Sequence, residues 1–136
     1  METSGYAQVQ DDRFFPLPVM TLYGWQKMLH QYNRAAGWYN NTDGTPKDRN
    51  VGEMLCLIHS EISEAMEGYR KGLMDDKLHH RQMIEVELAD AFIRICDLAG
   101  YLHLDLEGAV REKFEYNKNR ADHKLENRAQ DGGKKF

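Results

Sequence analysis

A chain of 136 residues is long enough to bury one hydrophobic core and gives no reason to seek a second domain. Its 41% apolar and 29% charged residues exclude a disordered or fibrous class. Lys plus Arg number 18 against 22 Asp plus Glu, for a net charge of -4, so no broad basic surface for direct nucleic-acid binding is expected.

The charge is uneven: residues 53–97 hold ten acids and five bases, whereas 113–136 hold four acids and seven bases. The start, Met1-Glu2-Thr3-Ser4, has neither a basic nor an apolar leader region, and no run of about 18 apolar residues occurs. A cytoplasmic protein with no membrane partner is the expectation. Cys56 and Cys96 each stand alone in a helical pattern, which reads as two reduced core residues.

In chain order, residues 1–20 read as an extended arm, because Pro16 and Pro18 forbid a helix through Phe14, Phe15, Leu17 and Val19. Residues 21–36 read as a first helix with Leu22, Trp25, Met28, Leu29 and Tyr32 on one face, ended by Gly37. The stretch 38–50, with Asn40-Asn41-Thr42-Asp43-Gly44 at its centre, is a loop. A second helix is predicted over 50–69, with Met54, Leu55, Ile58, Ile62, Ala65, Met66 and Tyr69 as its core stripe and Gly72 as terminator.

The third helix is predicted over 80–102, with Ile84, Leu88, Ala91, Phe92, Ile95, Ala99 and Leu102 on one stripe and Val86, Ala89 and Ile93 on the far side. A helix apolar on two sides is buried on two sides, which in so small a protein suggests a subunit interface. Asp105 caps a fourth helix running to about His123, and residues 124–136 form a basic, mobile tail. With no strand-like alternation, the fold class is all-α, a four-helix-bundle-like domain over 21–123 assembling as a homodimer or homotetramer.

Chemistry concentrates on the second and third helices. Glu61 and Glu64, three apart, border the apolar stripe with Leu57 and Gly68, and Glu87 and Asp90 flank the next stripe with Arg94 in the same strip. Glu61 and Glu64 stand 11 and 8 residues before Gly72, and Glu87 and Asp90 stand 7 and 10 after His80. At about 1.5 Å per residue an antiparallel hairpin brings both pairs to one height. Four converging carboxylates either raise each other's pKa or recruit a cation, and an all-oxygen set suits Mg²⁺, with Mn²⁺ as substitute. A merely acidic groove is the plainer alternative.

The fourth helix begins its inward stripe with Leu106, Ala109 and Val110 and continues it as Lys113, Asn117 and Arg120, at spacing i, i+4, i+7. Such a face suits an anionic ligand beside a metal; the alternative is a helix end in solvent whose cations pair with the acidic hairpin. Carboxylate-held Mg²⁺ next to Lys, Arg and an amide is what cleavage of a nucleoside polyphosphate requires. A P-loop is absent, which closes that route.

The pattern Glu61-Ile62-Ser63-Glu64, a gap of 22 residues, then Glu87-Leu88-Ala89-Asp90 resembles the signature of the MazG-like all-α nucleoside triphosphate pyrophosphohydrolases. Leu29-His30, Gly37-Trp38 and Arg49-Asn50 resemble the pocket entry of its deoxynucleotide-cleaving branch, and Lys113-Phe114-Glu115-Tyr116-Asn117 with Arg120 is similar to that branch's later element. The resemblance implies hydrolysis between the α- and β-phosphates to a nucleoside monophosphate and pyrophosphate, in control of the nucleotide pool. It implies Mg²⁺ on Glu61, Glu64, Glu87 and Asp90, with Glu61 or Glu64 activating water. Lys113 and Arg120 would hold phosphates, Asn117 a base edge or sugar hydroxyl, and His30 and Trp38 the nucleoside. Arg94 would contact phosphate or balance the acids. The lean is to deoxynucleoside triphosphates, purines such as dGTP among them.

Three rival readings compete for the same residues. A ferritin-like di-iron bundle needs Glu-x-x-His pairs, and the chain has none. A non-catalytic helical dimerisation or partner-binding module leaves the cationic face of the fourth helix unexplained. Phosphoribosyl-ATP pyrophosphohydrolase shares the metal site, but Trp38 and Asn117 favour the nucleotide-pool branch.

Overall fold

The computed structural model describes residues 20–134, so the predicted arm lies, but for Met20, outside the described residues. The described chain is all-helical, with α1 at Leu22–Ala35, α2 at Val51–Lys71, α3 at Met83–Tyr101, α4 at Leu106–Lys118 and a single helical turn, α5, at Leu125–Arg128. Among the described residues, extended pairing is limited to the isolated bridges Asn40–Pro46 and Met74–Gln82. None of these helices is long and apolar enough to cross a membrane.

The side chains of Thr21, Asn50 and Asp105 cap α1, α2 and α4 by accepting the backbone N–H three residues on. Gly72 ends α2 in the left-handed region, φ 62°, where a side chain would be strained. The turn that follows explains why α3 starts at Met83, not near His80. The buried Asp75 carboxylate accepts N–H bonds from Lys77 and Leu78, and its own N–H donates to the Arg81 carbonyl at 2.9 Å. This closed turn takes up the residues expected to be helical.

α4 ends at Lys118, short of the expected His123. Asn119 turns its amide back onto the Glu115 carbonyl at 3.1 Å, Arg120 is extended and pairs with Asp122, and a 3-10 turn, Ala121–His123, follows. The tail is not featureless: α5 is tied back by Asn127, which donates to the Ala121 carbonyl at 2.6 Å.

α3 packs against α2 on one side and α1 on another. Its approach to α1 is close: a Cβ on Gly100 would lie 2.5 Å from the His30 Cβ, so only glycine fits. The seam with α2 takes only part of the predicted stripes, Met54 and Ala65 of α2 and Ala91 of α3. It carries Met54, Glu61, Ala65 and Gly68 from α2 and Glu87, Ala91 and Leu98 from α3, all buried.

Leu55, Ile62, Met66 and Tyr69 of the predicted α2 stripe are rotated about 100° from that seam and exposed. On α3, Leu88, Phe92, Ile95 and Leu102 are likewise exposed, whereas the far side of Ile93, Asp97 and Gly100 meets α1 and the cleft described below. The predicted α3 stripe is thus split, with its small members Ala91 and Ala99 buried and most of its bulky ones exposed. Small residues on the seam allow a close approach there: a Cβ on Gly68 would lie 2.8 Å from the Met83 side chain.

Other expectations also shift. Cys96 is fully buried but Cys56 is exposed. Trp25 is half-buried, and Tyr32 is exposed, while α1 buries Gln26, whose amide donates to the Leu104 carbonyl at 2.8 Å and fastens the α3–α4 turn.

Candidate functional site

The antiparallel α2–α3 hairpin brings Glu61, Glu87 and Asp90 together, with one carboxylate oxygen from each lying within 4.8 Å of the others. Glu61 and Glu87 are each only 7% exposed. Glu64, one turn beyond Glu61, is exposed and outside this triad, yet its charge reaches Glu87.

Burial first, then a hydrogen bond to Glu61 and the charges of Glu64, Glu61 and Asp90, push the Glu87 carboxyl up from 4.5 to about 7. Burial and the Glu61 charge also raise Asp90, opposed by Arg94. Crowding of this kind is what a divalent cation relieves, and the hard oxygen donor set fits Mg²⁺ or Mn²⁺. Arg94 relieves part of it within the protein: its Nε donates to Glu61 Oε1 at 2.6 Å.

A cleft of about 520 Å³ opens beside the triad. Asp90, Ile93, Arg94 and Asp97 form its α3 wall and Glu53, Met54 and Leu57 its α2 wall, while Asn33, Trp38, Lys47 and Arg49 close the far end. Asp90, Arg94 and Asp97 follow i, i+4, i+7 and therefore share one helical face.

The loop between α1 and α2 is held by its own hydrogen bonds, although the buried Tyr39 hydroxyl has no hydrogen-bond partner among the described residues. Asn40 and Asn41 donate to Gly44 and Thr45, Asp43 accepts from the Thr45 N–H and hydroxyl, and the Lys47 N–H donates to the Tyr39 carbonyl at 2.9 Å. Tyr39 anchors the loop, its ring edge-on to His30 at 5.0 Å and tilted against Tyr101 at 5.3 Å. Burial, then the neighbouring Asp97 carboxylate, raises the Tyr39 hydroxyl above its ordinary range. Arg49 donates to the Trp38 carbonyl at 3.2 Å and lies over the Tyr39 ring.

Of the residues singled out in the sequence, Glu61, Glu87, Asp90 and Arg94 meet, and Trp38 lines the same cleft with its ring 63% exposed. His30 stands behind the wall, its Nδ1 bonded to Asp97 Oδ1 at 2.8 Å. Lys113, Asn117 and Arg120 are not among the cleft-lining residues of their own chain. Lys113 lies over the Tyr116 ring, Asn117 Oδ1 is enclosed without a hydrogen-bond partner, and Arg120 borders a separate hollow with Asn119 and Asp122.

Sequence reasoning missed Asp97, Lys47 and Glu53. Extending the Asp90–Arg94 face by three residues would have found Asp97; nothing local marks the other two, which the loop fold brings in. The chain matches no protein-family model, no curated protein and no solved structure.

Proposed function

We propose that the chain is a divalent-metal-dependent nucleoside triphosphate pyrophosphohydrolase, cleaving between the α- and β-phosphates. The observation that carries the reading is the Glu61–Glu87–Asp90 triad, two of its acids buried and Asp90 half-buried, with Arg94 on Glu61, at the edge of a cleft of nucleotide size. Crowding three acids so closely is unfavourable for folding, and the single cation Arg94 offsets only part of it.

Glu61, Glu87 and Asp90 would hold Mg²⁺, with Glu64 within reach from the next turn. Bound there, the ion supplies charge neutralisation for the phosphates and acidifies a water for attack on phosphorus. Glu61 or Glu64 would orient the attacking water, and Arg94, on the α3 wall, would meet the phosphates. Lys113, Asn117 and Arg120, lying outside the cleft of their own chain, would meet the triphosphate only from a second copy.

Self-association is supported independently. Leu55, Ile62, Met66 and Tyr69 of α2 and Leu88, Phe92, Ile95 and Leu102 of α3 are all exposed, and a contiguous apolar face of this kind marks an interaction surface. A second copy covers it in this reading, as a homodimer or a pair of such dimers.

The test is incubation with a panel of NTPs and dNTPs plus Mg²⁺, resolving pyrophosphate from orthophosphate. Pyrophosphate and the monophosphate are expected; orthophosphate as sole product contradicts the reading. Glu64→Gln and Asp90→Asn should each abolish turnover with the helical circular dichroism retained.

A further inference from the structure

Distance along the hairpin divides the cleft into two ends. The triad lies at Glu61 and Asp90, and the far end at Met54 and Asp97, seven residues away on each helix, or roughly 10 Å. This is comparable to the span of a nucleoside from its α-phosphate to the outer edge of its base. If phosphates sit at the triad, the far end receives the base.

That end carries an aromatic ring, Trp38, an acceptor, Glu53, and a donor, Lys47. Among the described residues neither Lys47 nor Glu53 has a salt bridge, and no side-chain hydrogen bond engages the Lys47 ammonium or the Glu53 carboxylate. By contrast Arg49 is engaged by Trp38 and Tyr39, Arg94 by Glu61 and Asp97 by His30. The root of Lys47 is fixed by its N–H bond to Tyr39, which is wedged against His30 and Tyr101. Glu53 is fixed on the first turn of α2. These two unspent charged groups, beside the Asn33 amide that also lines the cleft, are therefore presented by rigid backbone.

We infer that this end is a guanine subsite: Trp38 stacks on the base, Lys47 donates to the O6/N7 edge and Glu53 accepts from N1–H and N2–H. Guanine alone among the common bases offers adjacent acceptors on one edge and two parallel donors on the next. Adenine would set its N6 donor against the Lys47 ammonium and leave Glu53 without an N1–H. The inference rests on the proposed phosphohydrolase reading, which supplies the phosphate end.

The experiment measures kcat/KM for dGTP, dATP, dCTP and dTTP, with equilibrium binding of the four monophosphates followed by tryptophan fluorescence in a Trp25→Phe background so that Trp38 reports alone, in the full chain and in Lys47→Met and Glu53→Gln. The full chain should favour dGTP, and each variant should lose about tenfold or more of the dGTP-to-dATP ratio. Trp38→Phe, keeping a smaller ring, should weaken all four bases and preserve the order. A preference for another base overturns the inference, as does a parallel fall for all four substrates, which would put Lys47 on a phosphate. Turnover with no base discrimination leaves the phosphohydrolase standing and removes the subsite. Failure to bind or cleave any nucleotide overturns both.

Discussion

Replacing Glu87 by Gln should stabilise the metal-free protein at pH 8 and remove its response to Mg²⁺. The Glu87 carboxyl is pushed up from 4.5 to about 7. A raised folded pKa means that its contribution is fully present below the ordinary value and is lost as pH rises through about 7. At about 1.4 kcal/mol per pH unit the cost above pH 7 has a ceiling of roughly 3 kcal/mol. The triad opens onto the cleft, so solvent screening reduces this to about 1–2 kcal/mol. Gln is isosteric with the protonated acid and keeps a donor for Glu61. Metal-free Glu87→Gln should therefore melt roughly 3–8 °C above the parent at pH 8, with the gap closing as pH falls and gone below about pH 4. Mg²⁺ should raise the parent's melting temperature at pH 8, less so at pH 6 where a proton must be displaced, and leave the variant nearly unmoved. Differential scanning calorimetry in chelator and in Mg²⁺ reads all of these. A variant less stable than the parent at pH 8, or one that Mg²⁺ stabilises equally, would refute the electrostatic account of the triad.

Arg94→Met strips the buried Glu61 of its cation; with Arg94 42% exposed, a metal-free loss of about 1–2 kcal/mol is expected, together with a larger Mg²⁺-induced gain. Urea unfolding with and without Mg²⁺ checks both, and an unchanged midpoint would mean that the pair contributes nothing. Gly100→Ala drives a methyl into His30 and should cost about 1–3 kcal/mol, measured in the same titration; a neutral result would show that α1 yields freely. Phe92→Glu places a charge in the exposed α2–α3 face and should lower the molar mass in light scattering after size exclusion, whereas an unaltered mass would exclude that face as the site of self-association.

The helices were legible because their end signals are local. Thr21, Asn50 and Asp105 cap by reaching three residues along their own chain, and Gly72 terminates by its own backbone freedom. The convergence of Glu61 with Glu87 and Asp90 was legible too, since hairpin register follows from counting residues to a short turn. Where local signals compete, boundaries moved: Asp75 closes a turn in place of the first turn of α3, and Asn119 stops α4 early.

Periodicity declared which residues share a face but not which face meets which neighbour. Leu55, Ile62 and Met66 form a stripe as greasy as any core, yet α2 turns Glu61, Ala65 and Gly68 toward α3. Small residues permit a closer helix approach, and the gain in packing from that approach is a property of two surfaces at once. The Lys47 and Glu53 end of the cleft likewise exists only because Tyr39 pins a loop against His30 and Tyr101 across three segments of chain. What the sequence by itself determined is everything set by contacts within a few residues: helices, caps, and the height of each acid along its helix. Which faces are buried, what Arg94 touches and which loop residues border the cleft were decided by tertiary structure, because those contacts join residues that no short-range rule relates.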